Sequence, residues 1–177
     1  DQYNSITLNN LGNVLMFQSK PDKAEIIFKK AISSNMFDYN AYLNLGSCMK
    51  TLGNIPKAIE YTLKSIDIKS NNPIAYCNLG EFFRISGDHK KAIFNFMKVL
   101  DLNKNNITAK CGLLKCKGLI CDWNNYKNDF VWINVLGLKG DSVNPYFLFL
   151  YEDNPINHLK RAKRYSKINF QRNNVLN

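Results

Sequence analysis

The sequence predicts an all-α solenoid of stacked helix pairs, followed by an irregular helical extension. Three observations predict it. Gly12, Gly46 and Gly80 lie 34 residues apart, and each ends the tripeptide Asn-Leu-Gly. Ala24, Ala58 and Ala92 each follow twelve residues after one of these glycines. Around these landmarks the apolar residues recur at helical rather than alternating spacing. A fixed period of this length, with small residues held in place, marks a repeat array.

The first helix of each unit is read from an i, i+3, i+4, i+7 stripe. In the first unit the stripe is Leu8, Leu11, Gly12, Leu15; in the second Tyr42, Leu45, Gly46, Met49; in the third Tyr76, Leu79, Gly80, Phe83. Breakers then fall at matching places: Ser19-Lys20-Pro21-Asp22, Gly53-Asn54-Ile55-Pro56 and Gly87-Asp88. Glycine suits a helix C-terminus, Asn54 and Asp88 suit an N-cap, and Pro56 suits a first turn. A second helix follows each break, carrying Ala24/Phe28/Ala31, Ala58/Thr62/Ser65 and Ala92/Phe96/Val99. The small residues have a packing reason. Where antiparallel helices cross closely a large side chain would hold the backbones apart, so Gly46 and Ala58 permit contact while larger neighbours fill the space beside them. One helix pair cannot bury its own apolar face, so the pairs stack.

These residues resemble the tetratricopeptide repeat: Leu-Gly, a large residue three later, then Ala, Phe and Ala on the second helix. The resemblance covers residues 1–104 as three repeats, about 5–38, 39–72 and 73–106. It implies a tetratricopeptide repeat superhelix (α-solenoid) whose first helices line a concave face. The sequence departs from the pattern at Thr62, Ser65 and Val99.

The asparagine of each Asn-Leu-Gly falls on that expected face. One helical turn around it lie Ile6, Asn13 and Phe17 for Asn10, then Asn40, Ser47 and Thr51 for Asn44, and Ile74, Glu81 and Ile85 for Asn78. An amide both donates and accepts, so it suits the backbone of an extended chain whatever that chain's side chains are. The candidate peptide-binding set is Asn10, Asn13, Asn44, Ser47, Asn78 and Glu81. The alternative is that these asparagines cap or bond neighbouring helices. An asparagine ladder in this place also resembles the repeats of O-linked N-acetylglucosamine transferases. Repeat domains that clamp chaperone C-termini hold a carboxylate with cations. At the comparable places here stand Asn9, Asn13, Asn44, Ile74 and Asn78, which disfavours such a clamp.

Carried forward, the period puts Gly112 at the ladder place, Leu114 at the glycine and Tyr126 at the alanine. Residues 107–120 therefore read as one more first helix, in a degenerate repeat, with a further helix expected from Asp122 to about Leu136. Leu119-Ile120-Cys121-Asp122-Trp123, then Asn144-Pro145-Tyr146-Phe147-Leu148-Phe149-Leu150, Asp153-Asn154-Pro155 and a helix with Leu159, Ala162, Tyr165 and Phe170 follow in order. This order resembles the junction between repeats and catalytic region in the O-linked glycosyltransferase family (O-GlcNAc transferase and Spindly types). The resemblance implies that residues 105–177 are connecting helices leading toward a catalytic domain outside this chain. A start without methionine, within a turn of the first repeat, fits a piece of a longer protein.

The remaining composition narrows the chemistry. Neither a GxGxxG, a P-loop nor a triad spacing occurs, so no residue is assigned catalysis and no cofactor is expected. Five cysteines form no CxxC pair, which argues against zinc and fits reduced thiols in a cytoplasmic protein. His89 and His158 read as surface histidines. No apolar run approaches membrane-spanning length. The net charge is +10. Lys160, Arg161, Lys163, Arg164, Lys167 and Arg172 sit in one stretch with Leu159, Ala162, Tyr165, Ile168 and Phe170. This stretch reads as a packed helix with its lysines in water, which disfavours nucleic acid as a partner. The expected function is a peptide-binding arm that presents extended protein segments to a glycosyltransferase domain. The alternative is a stand-alone scaffold for assembling protein complexes.

Overall fold

The computed structural model describes residues 2–124, 129, 131, 133–138, 143–144, 148, 151 and 154–170, with the side chains of residues 2, 3 and 170 left aside. Tyr126, residues 145–147 and 149–150, Asp153 and Arg172 lie outside the described residues. All regular structure among the described residues is helical. Six helices form three pairs: α1 (Gln2–Phe17) with α2 (Pro21–Ser34), α3 (Tyr39–Thr51) with α4 (Ile55–Ile68), and α5 (Pro73–Ile85) with α6 (His89–Leu102). Then come α7 (Ile107–Leu119) and α8 (Pro155–Phe170). The chain divides into two compact units, 1–112 and 113–177.

In the first unit the helix starts are capped largely as the sequence predicts. Asn54 accepts from the amide of Lys57, and Asp88 from that of Lys91. Asp38 accepts from the amides of Asn40 and Ala41 and also from the Ser5 hydroxyl at 2.6 Å, which ties the first repeat to the second. Pro21, Pro56 and Pro73 sit in first turns, where the missing N–H costs nothing.

The small residues mark the crossings. A Cβ added at Gly80 would lie 2.7 Å from the Phe96 ring, and one at Gly12 would meet the ring of Phe28. In the second pair the obstacle at Gly46 is the Thr62 hydroxyl and the Ala58 carbonyl. Thr62 stays buried by donating that hydroxyl to the Ala58 carbonyl oxygen at 2.8 Å. Phe82, from α5, adds aromatic volume to the cluster that holds Ala58, Met49 and Phe28. Ser65, in place of alanine, donates to the Tyr39 carbonyl oxygen and ties the end of α4 to the start of α3. Two of the three departures, Thr62 and Ser65, are thus polar residues that find partners within their own pair, while Val99 is an apolar side chain buried in place of alanine. Gly112 is more than a ladder place left empty: a Cβ there would meet the Phe96 ring. Gly112 thus packs on the helix before it, unlike Gly12 and Gly80, which pack on the second helix of their own pair, and Leu114, where the period expects glycine, is buried.

The turn between the helices of a pair keeps the period longer than the side chains do. Gly53 and Gly87 have φ of 78° and 85°, and Ser19 and Cys121, 34 residues away on either side, have φ of 57° and 52°. After α1, α3 and α7 the same reversed bonds close the helix: Lys20 N–H to Leu15 O, Asn54 N–H to Met49 O, Asp122 N–H to Lys117 O. An L side chain in the left-handed region costs about 1 kcal/mol. Ser19→Gly is therefore expected to raise stability by roughly 0.5–1 kcal/mol. Chemical denaturation would check it, and an unchanged or lower midpoint would contradict it.

The second unit has a different, more polar interior. Leu114, Cys116, Ile133, Leu136, Val143, Leu148 and Tyr151 are buried together with His158 and Arg161. Asp129, Val131 and Ile133 are helical, followed by turns through Leu138. Lys117 pairs with Asp129 at 2.6 Å, both nearly buried. The Tyr151 hydroxyl donates to the Leu114 carbonyl, and burial pushes the phenol up to about 12. Trp123 meets the Tyr151 ring edge-on, centroids 5.4 Å apart.

Helix α8 corrects two expectations. His158 is buried rather than at the surface, because it shares an inward stripe with Arg161 at i+3. Arg161 is buried too, donating from Nε to the Leu136 carbonyl at 2.7 Å and from a terminal nitrogen to that of Ile133 at 2.8 Å. Leu159 and Ala162, expected on the packed side, are exposed, as are Lys160, Lys163 and Lys167.

Candidate peptide-binding face

The ladder residues belong to the first helices of the pairs. Each of these helices buries its glycine at the crossing, and α3 and α5 bury the preceding leucine as well, whereas Leu11 on α1 is exposed. Asn44 and Asn78 are half-buried, while Asn10 and Asn13 are exposed on α1.

Adjacent first helices touch through these side chains. The Asn44 amide nitrogen donates to Asn9 Oδ1 at 3.0 Å, bridging α3 to α1. The Asn78 amide nitrogen donates to Ser47 Oγ at 3.2 Å, bridging α5 to α3. Ser47 in turn donates to the Leu43 carbonyl within its own helix. Three of the six predicted residues, Asn44, Ser47 and Asn78, thus take part in two separate bonds, one between α3 and α1 and one between α5 and α3. Their fourth partner is Asn9, one residue before the predicted Asn10, and it is buried. The adjacent pair Asn9-Asn10 is the signal that pointed to this place: the helix puts one amide under the ladder and the other in solvent.

Glu81 is held on its own helix. Both carboxylate oxygens receive bonds from the Arg84 guanidinium, at 2.8 Å each. The paired charges sit at i and i+3, both partly exposed. Beside the ladder stand exposed apolar side chains, Ile6, Phe17, Ile74 and Ile85. Chemically the strip offers amides, hydroxyls and aliphatic groups, with one neutralised ion pair.

Each ladder amide has spent one N–H on the neighbouring helix. Among the described residues the Oδ1 atoms of Asn44 and Asn78 accept no bond, so each can take an N–H from a chain laid across them. The bonds between helices also fix the rotamers, so such a chain would meet amides already oriented.

Nothing on this face is set up for covalent chemistry. Burial pushes the thiols of Cys48 and Cys77 up to about 11, which leaves almost no thiolate near neutral pH. Among the described residues no three or more His, Cys, Asp or Glu side chains gather as metal ligands, and no helix is long and apolar enough to cross a membrane.

Comparisons with known proteins agree with this geometry. The first tetratricopeptide repeat domain of Spaghetti (RPAP3), solved with an HSP90 peptide, superposes with a TM-score of 0.67 at 20% identity, covering 69% of this chain and 97% of that one. The Yersinia enterocolitica type III secretion chaperone SycD, in complex with a peptide of the translocator YopD, gives a TM-score of 0.60 at 18% identity, covering 63% and 90%. MamA gives 0.64 at 20% identity and covers 94% of this chain and 83% of its own. At these identities the likeness is one of fold. No curated protein matches the sequence. The tetratricopeptide repeat family model matches residues 7–35, 39–72 and 74–106, more than half of the chain, with each match falling on one helix pair. The chain therefore belongs to the tetratricopeptide repeat family.

Proposed function

We propose that the array is a peptide-binding arm that holds an extended segment of a partner protein along α1, α3 and α5. The observation that carries this reading is the two oriented pairs, Asn44 with Asn9 and Asn78 with Ser47, whose Asn44 and Asn78 Oδ1 atoms accept no bond among the described residues. Structural neighbours solved with peptides support it at the level of fold. The strip is nearly uncharged, so it suits a neutral segment with aliphatic side chains better than a peptide ending in acidic residues. The finer reading is an arm that feeds such segments to an O-linked glycosyltransferase domain. It rests on two resemblances of the sequence, that of the asparagine ladder and that of residues 107–171. A stand-alone scaffold for complex assembly fits the same face equally well. Reading the gene beyond Asn177 separates them: several hundred further residues alternating strand and helix favour the transferase, a stop codon the scaffold.

The test of the binding face uses extended peptides selected from a random library against the wild-type chain. The triple variant Asn10→Ala, Asn44→Ala, Asn78→Ala is expected to bind them about 10- to 100-fold more weakly, given about 1 kcal/mol for each lost bond. Asn9→Ala is the control. It removes the same α1–α3 bond as Asn44→Ala while leaving the Asn44 amide on the face, so it should lower stability with a much smaller effect on affinity. Unchanged affinity in a helical triple variant, read by calorimetry and circular dichroism, would sink the ladder reading.

A further inference from the structure

Helix α8 divides its cations between two sides. Its inner side holds His158 and Arg161, and the Arg161 guanidinium is spent on the Leu136 and Ile133 carbonyls. Its outer side holds Lys160, Lys163 and Lys167, all exposed, together with Ile156 and Leu159 at 65% and 56% exposure. At about 3.6 residues per turn these five positions fall within an arc of about 100°. No acidic residue occurs from Asn154 to Asn177. Among the described residues no carboxylate pairs with the three lysines. The fold uses the inner side of α8 and leaves outside a second pattern, two aliphatic side chains beside three uncompensated cations.

We propose that the outer side of α8 is a docking surface for an anionic lipid bilayer. Lys160, Lys163 and Lys167 meet the charged headgroups, while Ile156 and Leu159 enter the boundary with the acyl chains. Charge complementarity calls for an anionic partner, and the kind of cation narrows it. Interfaces between folded proteins favour arginine and deplete lysine. Here Arg161 is buried and Arg164 half-buried, and only lysines face fully outward. A flexible ammonium suits a diffuse anionic field that asks for no fixed geometry. The exposed aliphatic pair favours lipid over nucleic acid, because single strands are gripped by aromatic stacking and this side carries no aromatic residue. The helix lies on the bilayer and does not cross it. This inference concerns the second unit alone and stands whether or not the repeats bind peptide.

The experiment titrates the 177-residue chain with phosphatidylcholine vesicles containing about one-third phosphatidylserine. Pure phosphatidylcholine vesicles, poly(U) RNA and polyglutamate are the parallel probes. Binding to the anionic vesicles is expected, weakening as salt rises, with none to pure phosphatidylcholine. At about 5-fold for each lysine near the surface, Lys160→Gln, Lys163→Gln and Lys167→Gln together should lower the partition coefficient about 100-fold. Ile156→Ser with Leu159→Ser keeps every charge and should lower it about 10-fold. All five positions are exposed, so both variants should keep wild-type helicity by circular dichroism. Tighter binding to poly(U) or polyglutamate than to the anionic vesicles would overturn the bilayer as the partner. So would vesicle binding that survives the lysine substitutions, or that does not depend on Ile156 and Leu159.

Discussion

Phe96→Ala is expected to lower the stability of the repeat unit by about 3–5 kcal/mol, the usual cost of emptying a buried aromatic site. Phe96 is buried, with both Gly80 and Gly112 so close to its ring that a Cβ on either would clash. It therefore holds α6 to both α5 and the start of α7. Neither glycine has a side chain that could swing into the vacated space, so the cavity can close only by moving backbones. For a chain of this size the loss corresponds to a fall in melting midpoint on the order of 10 °C, followed by circular dichroism. The equivalent change in the second pair, Thr62→Ala, should cost only about 1 kcal/mol. Thr62 contributes little volume, and its hydroxyl bonds within its own helix.

The glycine partner sharpens the test. Gly80→Leu alone is expected to be severely destabilising, since even its Cβ would fall 2.7 Å from the ring. Combined with Phe96→Ala, the new side chain enters the volume the ring has left. The double variant should then lose clearly less than the two single losses added, because contacting residues are not independent. Additive losses would show that Phe96 and Gly80 do not share one crossing and would defeat this account of the period.

This dependence explains why so much of the array can be read from amino-acid types. Close helix crossings admit only glycine or alanine, so a crossing repeated three times leaves a periodic trace at Gly12, Gly46, Gly80 and Ala24, Ala58, Ala92. Two caps are equally visible, since Asn54 and Asp88 act on amides three residues away. The ladder was legible in register but not in partner. Asn44 reaches across to Asn9 rather than Asn10, and which of two adjacent amides faces a neighbouring helix depends on how the helices are rotated. The fourth left-handed turn, at Cys121, was not legible at all. Backbone conformation there is imposed by the helix ending, not advertised by a glycine. Leu11 illustrates the same limit, because it holds the same place in the repeat as the buried Leu45 and Leu79 and yet is exposed.

In the second unit, Arg161→Ala is expected to cost about 3–5 kcal/mol, the penalty for breaking a buried charged arrangement from one side. The basic stretch 160–172 suggests cations in water, and for Lys160, Lys163 and Lys167 that holds. Arg161 differs because its guanidinium ends on two carbonyls, Leu136 and Ile133, at the close of the helical segment containing Asp129, Val131 and Ile133. Carbonyls at a helix end carry partial negative charge, and the Ile133 carbonyl, which already accepts from the Leu136 N–H at 3.2 Å, takes the guanidinium as a second donor. A planar fork with several N–H groups can serve two of them at once. Arg161→Lys keeps the charge but offers one compact ammonium in place of the fork, so it should recover less than half of the loss. Both tryptophans of the chain, Trp123 and Trp132, lie within 113–177, so tryptophan fluorescence reports on this unit and not on the repeats. The fluorescence transition should move strongly for Arg161→Ala, partly for Arg161→Lys and by no more than about 0.5 kcal/mol for Lys163→Ala. Equal shifts for Arg161→Ala and Lys163→Ala would mean that the guanidinium does not hold the helix end. Positive charge in this stretch would then be only a solvated face, as its pattern first suggests.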